Sequence, residues 1–219
     1  MIYSTMVERG YKVFDYRHYY HADGFERPLL AITTNQEPNV VQLAQWKLLP
    51  DTVRNEAEAK RYANTFLARA EDIFTKPSFA PYVHQRCLLW VNGFYESHHP
   101  RPKVNVPFFI HMPDMRPFSL GGIWTDWRNM DTGEIIKTFA VITTPANQLL
   151  SQIHNIGQRM PLIIHRNARR QWMQGNLADM KSLMVPYFDG ELEAYPVSNL
   201  IHKRNVVKDI PEAQQRIAV

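Results

Sequence analysis

Cysteine is nearly missing from this chain: Cys87 is the single one among 219 residues. No intramolecular disulfide can form, which favours a reducing compartment and a cytoplasmic protein. Cys87 lies in the apolar run CLLWV, so a buried, inert thiol is expected there. Long hydrophobic runs are missing too. Nothing approaches the roughly 20 apolar residues of a membrane span. The opening MIYSTMVERGYK carries charge where a signal peptide needs an apolar stretch. There is no Gly-rich phosphate loop, no nucleophile elbow and no Ser-His-Asp or Cys-His arrangement at usable spacing. His18 and His21 lack an acidic or cysteine partner, and His98 and His99 are adjacent, so neither a metal nor a cofactor is expected.

What is present is ordinary for a globular protein: 45% hydrophobic and 21% charged residues. The length suits one domain over residues 1–219 with a sizeable core. Lys and Arg number 25 against 21 Asp and Glu, a net charge of +4. That balance mildly favours a polyanionic partner, although on charge alone a slightly basic surface is the better account.

Short strands are expected at Leu29 to Thr33, Val40 to Trp46, Val106 to His111, Gly122 to Trp127, Lys137 to Thr143, Pro161 to His165 and Leu192 to Val197. Arg86 to Glu96 reads as one longer strand. Asn55 to Ala63 is rich in Ala, Glu and Lys and reads as a helix. Thr144 suits an N-cap and Pro145 a first helical position, with Leu149, Leu150 and Ile153 forming the apolar face. Asn167 to Gln174 reads as a helix closed by Gly175. In YRHYYHADG, Arg17 is interleaved with aromatics that could stack on bases, but core tyrosines on a helix fit better. Strands outnumber helices and many links are of hairpin length. The expected fold is α+β: a mainly antiparallel, barrel-like sheet flanked by helices.

Two residues stand out for acid–base work. Glu96 ends WVNGFYE, and a carboxylate there can face a pocket with a raised pKa, or can be a solvated edge residue. His154 ends the helix after Thr144, where imidazole can move protons near neutral pH or merely complement the helix dipole. Arg69 in LARAE and Arg159 in QRMP could hold phosphates or be ordinary surface arginines.

The segments VVQLAQWKLLP, LARAEDIFTKPSF, QRCLLWVNGFYE, VPFFIHM, LGGIWTDW, TFAVITTPAN, QIHNIGQRMP and YPVSN stand in this order along nearly the whole chain. Each is weak alone, but the ordered set resembles the SOS response-associated peptidase (SRAP) family. That resemblance implies binding of single-stranded DNA at abasic sites in the DNA-damage response. In the family an N-terminal Cys, exposed by removal of Met, condenses with the sugar aldehyde and closes a thiazolidine. A glutamate and a histidine assist the proton transfers, and an asparagine and arginines hold the DNA. Carried over by motif, Glu96 and His154 match the acid–base pair, and Arg69 and Arg159 match the DNA-binding arginines. Three extra residues separate His154 from Arg159, and Lys47 stands where a glycine is usual.

Two positions depart from the pattern. Ile2 occupies the place of the family Cys, so a thiazolidine is not expected. Leu67 occupies the place of the family Asn, so a DNA-orienting amide has become apolar. The resemblance therefore leaves two expectations: an abasic-site single-stranded DNA binder without the covalent cross-link, or a scaffold on the same fold with a repurposed apolar pocket. Neither needs a small-molecule cofactor or a membrane.

Overall fold

The computed structural model describes residues 12–13 and 17–218. Ile2 lies outside the described residues, as does Tyr16. Twelve strands are described: β1 Lys12–Val13, β2 Leu29–Thr34, β3 Val40–Trp46, β4 Leu67–Arg69, β5 Arg86–Val91, β6 Gly93–His98, β7 Val106–His111, β8 Phe118–Arg128, β9 Ile135–Pro145, β10 Arg159–Pro161, β11 Ile163–Ile164 and β12 Glu193–Pro196. Four short α-helices accompany them: α1 Glu56–Ala59, α2 Gln148–Ile153, α3 Arg169–Gln174 and α4 Leu177–Leu183.

Strands β3, β2, β5, β8 and β9 follow one another by antiparallel pairing, and β9 returns to β3 in parallel register, Gln45 beside Thr138 and Trp46 beside Phe139. The five strands thus close into a mixed barrel. A second sheet, β12-β7-β6, stands beside it. The fold is α+β with a mainly antiparallel barrel, as the sequence implies.

Burial on both faces explains the near-continuous apolar runs. In β5 and β9 successive residues point to opposite faces. Cys87, Leu89, Phe139 and Val141 join one buried cluster with Ile110, Leu150 and Ile153. Leu88, Ala140 and Ile142 join another with Trp172, Met173 and Met180. The first ties the barrel to β7 and α2, the second to α3 and α4. Cys87 is fully buried, its thiol pushed well above the usual range by that burial.

Several local expectations are corrected. Arg86 to Glu96 is two strands, not one: the chain leaves the barrel at Asn92 and enters the second sheet. Gly93 makes this possible, because a Cβ there would stand 2.3 Å from the Phe109 ring and 2.6 Å from the Ile110 carbonyl. Thr144 and Pro145 do not start a helix. They extend β9, held by the pairing of Met160 with Thr144 and Arg159 with Pro145, and Asn147 caps α2 instead, its side chain accepting from the Leu150 amide. The helix expected over 55–63 is one α turn capped by Asn55, followed by a 3-10 turn. Pro161 to His165 is split: β10 pairs with β9, and the chain then switches to β8 as β11, with Leu162 bonded to both. Residues 17–21 of the tyrosine-rich segment are not helical; the Tyr20 amide donates to Asp209. Neither β4 nor α4 was expected.

Candidate functional site

Four elements from three separate stretches of the chain meet at one end of the barrel. Strand β4 pairs in parallel with the end of β9, Leu67 beside Val141 and Arg69 beside Thr143. Strand period places Leu67 and Arg69 on the same, exposed face, while Ala68 is buried. On the far side of β9, β10 brings in Arg159. Strand β6 contributes Glu96, and the C-cap of α2 contributes His154. Together they line an open cavity of about 440 Å³, with Asn64, Lys76 and Thr143.

At its centre the Glu96 Oε2 lies 3.3 Å from His154 Nδ1. Nδ1 is also 3.0 Å from the Arg159 carbonyl oxygen. A carbonyl only accepts, so Nδ1 is assigned the hydrogen, and the lone pair of the neutral ring falls on Nε2. Burial pushes the Glu96 carboxyl up to about 8, only partly offset by the Ser97 amide. One-fifth of the Glu96 side chain still meets solvent, and slightly more of His154. At neutral pH Glu96 is therefore a protonated acid beside His154, and both residues line the cavity.

The loop after α2 holds the imidazole in place. The four residues between His154 and Arg159 fold into a compact turn: the Gln158 amide donates to the His154 carbonyl, and Gln158 has a φ of 48°. Gly157 packs closely against the Nε2 end of the ring. Asn155 bridges to the second sheet, its Oδ1 accepting from the His99 amide at 3.0 Å and its Nδ2 donating to the His99 carbonyl at 2.9 Å. The turn thus returns the chain to β10 with the Arg159 carbonyl against His154.

The two arginines differ. Arg159 is saturated: it makes a two-pronged pair with Glu71 at 3.0 and 2.9 Å, and donates to the Thr143 hydroxyl and carbonyl. The Arg159 guanidinium holds the Glu71 carboxyl below its ordinary range. Arg69 is exposed and has no ion-pair partner among the described residues. Leu67 is 41% exposed and forms an apolar stretch of the cavity wall.

Sequence reading missed Asn64, Lys76 and Glu71 at this site. Lys76 and Glu71 lie within LARAEDIFTKPSF, so the motif contained them, but nothing local marks them as lining or bracing a cavity. Asn64 stands three residues before Leu67 and places an amide in the same cavity. Among the described residues no cluster of His, Cys, Asp and Glu is arranged to hold a metal. No described helix is long and apolar enough to cross a membrane.

The family model of the SOS response associated peptidase (SRAP) matches residues 8–204. The chain is 32% identical over 178 residues to the abasic site processing protein YoqW of Bacillus subtilis, covering 80% of this chain and 76% of that protein. It is 28% identical over 184 residues to the abasic site processing protein YobE of the same organism, covering 82% and 81%. A solved protein from Bacteroides thetaiotaomicron superposes with a TM-score of 0.89 at 29% identity, over 99% of this chain and 96% of that one. A match running through nearly every strand of the barrel and every element of the cavity leaves one assignment: the chain belongs to the SRAP family.

Proposed function

We propose that this chain takes part in abasic-site processing by holding single-stranded DNA in the cavity between β4, β6, β10 and α2, without forming the family's thiazolidine. The observation that carries the reading is the 3.3 Å approach of Glu96 to His154 in an open cavity lined by Arg69, Lys76 and Arg159. The relatives named as abasic site processing proteins support the choice of lesion. An abasic sugar exchanges between a closed hemiacetal and an open aldehyde, and that exchange needs a proton given and a proton taken. Glu96, held protonated, gives one; His154 Nε2 takes one. Arg69 and Lys76 attract the flanking phosphates. Asn64 supplies an amide to the cavity that Leu67 cannot.

Ile2 has no thiol, so the chemistry stops before the ring that would make the adduct permanent. The exposed Leu67 is the one observation that favours the alternative, a scaffold whose pocket takes an apolar group. The basic residues of the cavity wall, Arg69, Lys76 and Arg159, weigh against it.

Incubation with an abasic single-stranded oligonucleotide at low salt, where phosphate contacts are strongest, tests the reading. Saturable binding is expected, with no band surviving heat and detergent. Absence of binding at about 50 mM salt would sink the DNA reading. A heat-stable adduct of the unmodified protein would overturn the loss of cross-linking. Ile2→Cys, alone and with Leu67→Asn, is expected to restore such an adduct.

A further inference from the structure

A second, smaller pocket opens where the turn from β7 to β8 meets the end of β11. It shares no lining residue with the cavity. Its volume of about 50 Å³ gives room for a few water-sized groups. The floor is apolar, with Phe118, Ile164 and Tyr187 all buried. Every charged or ionisable side chain around that floor is basic: Arg116, His165, Arg166 and Arg169. Among the described residues no carboxylate lines it.

Each basic group is set in a way that suits an anion. Arg169 is fixed: its Nε donates to the buried Ser119 hydroxyl at 3.0 Å, and its guanidinium lies 4.5 Å over the Trp90 ring. The Asn167 amide donates to His165 Nδ1 at 3.3 Å, so the neutral ring carries its hydrogen on Nε2 and is a donor there. Arg166 is exposed and has no carboxylate within ion-pair distance among the described residues. Arg116 reaches only Asp114, at 3.4 Å, with both side chains more than half exposed. Such a pair contributes little and yields easily to another anion. Tyr187 places two of the arginines together. Burial first, then Glu191, raises its hydroxyl to about 12, and both Arg116 and Arg169 act against that rise.

Three guanidinium groups around one small pocket repel one another unless an anion lies between them. Their planar forks each match two oxygens, which favours a compact anion with several acceptors. We propose that this pocket binds a phosphate group, free or at the end of a nucleotide chain. The pocket and the cavity are attached to opposite ends of α2. Asn147, its N-cap, donates to the Tyr187 carbonyl at 3.3 Å, and His154 is its C-cap. The phosphate site does not require the cavity to bind DNA, so the two readings fail separately.

An NMR titration of the full chain with inorganic phosphate at low ionic strength tests the site. The readout is the indole N–H signals. Trp90 lies under Arg169, whereas the Trp46 indole donates to the Phe66 carbonyl, next to Leu67 of the cavity. Saturable movement of the Trp90 signal is expected, with a dissociation constant of about 1 mM or tighter and Trp46 unmoved. In a variant carrying Arg116→Ala and Arg166→Ala, both at exposed positions, the affinity should fall at least about tenfold. A still Trp90 signal in the unmodified chain would overturn the site, whatever the variant does. So would movement of Trp46 alone, or an unchanged affinity in the folded variant. An oligonucleotide with a terminal phosphate and its unphosphorylated twin then distinguish the sources. Movement of Trp90 with the phosphorylated strand alone assigns the pocket to a strand end. Movement with neither strand, beside saturation by inorganic phosphate, assigns it to the free ion. Equal movement with both would make the contact an internal phosphodiester and overturn the proposal.

Discussion

Gly157 lies so close to His154 that a Cβ on it would stand 2.4 Å from Nε2 and 2.7 Å from Cε1. The glycine therefore shapes the site from the Nε2 end of the imidazole, and its lack of a side chain is what lets the ring keep Nδ1 toward Glu96 and the Arg159 carbonyl.

Gly157→Ala must tilt the ring or push the loop away. The expected cost is about 1–3 kcal/mol of stability, as for other overpacked contacts. The sharper readout is the NMR chemical shift of the His154 Cε1 proton. It should move in Gly157→Ala, whereas a substitution of exposed Ile156 should leave it in place. An unchanged shift would mean that the ring's environment does not depend on this contact.

Glu96 makes stability depend on pH in a definite direction. Its carboxyl sits near 8 in the folded chain against an ordinary value of 4.5. Between those values the unfolded chain has lost a proton that the folded chain keeps. The stability linked to Glu96 is therefore full below about 4.5 and is lost as pH rises through about 8. Glu96→Gln removes the titration. Its unfolding midpoint relative to the parent should climb from pH 5 to pH 8.5, gaining about 2–4 kcal/mol. Parallel pH profiles for the two proteins would show that the carboxyl is not held protonated.

Glu71 restrains Arg159. It neutralises part of the guanidinium charge beside the cavity, while Thr143 supplies two further acceptors. Removing the carboxylate with Glu71→Gln leaves the arginine placed but more positive. Binding of an abasic oligonucleotide at low salt should tighten about two- to fivefold, and this gain should vanish in an Arg159→Ala background. Weaker binding in Glu71→Gln would instead make Glu71 the residue that positions Arg159.

Lys47 has a φ of 155° and an ammonium buried against the Ala59 carbonyl at 3.2 Å. Both features are costly: the backbone favours glycine, and burial draws the ammonium below its ordinary pKa. Lys47→Gly should raise the urea midpoint by the equivalent of about 1–2 kcal/mol. A fall would show that the bond to Ala59 outweighs the strain.

The parts of the fold that were legible in sequence are those specified by local pattern. Val40 to Trp46 and Val106 to His111 have the bounds their β-rich runs imply. The errors occur where tertiary pairing overrode local preference. Thr144-Pro145 is a sound helix start in isolation, but β10 claims it for the sheet. Arg86 to Glu96 is one apolar run that serves two sheets, and only the contact between Gly93 and Phe109 reveals the break. Strand β4 has three residues, too few for a period to show, and it exists because β9 offers an edge. The site was legible through ordered motifs and not through spacing. Glu96 and His154 belong to different elements, and so do Glu71 and Arg159; no local pattern in the chain relates either pair.

The parallel seam between β3 and β9 also governs when the site can exist. It joins residues 45–46 to residues 138–139, so closure must wait until long stretches of chain have been made and brought together. The cavity then still lacks β10, which supplies Arg159, and the turn that seats His154. A polypeptide still being synthesised, or a fragment ending before β10, would carry Arg69 and Glu96 without a place for them to meet. The cavity is thus an all-or-none property of the closed barrel: a fragment ending before β10 has the wall that β4 and β6 supply but not the one that closes it.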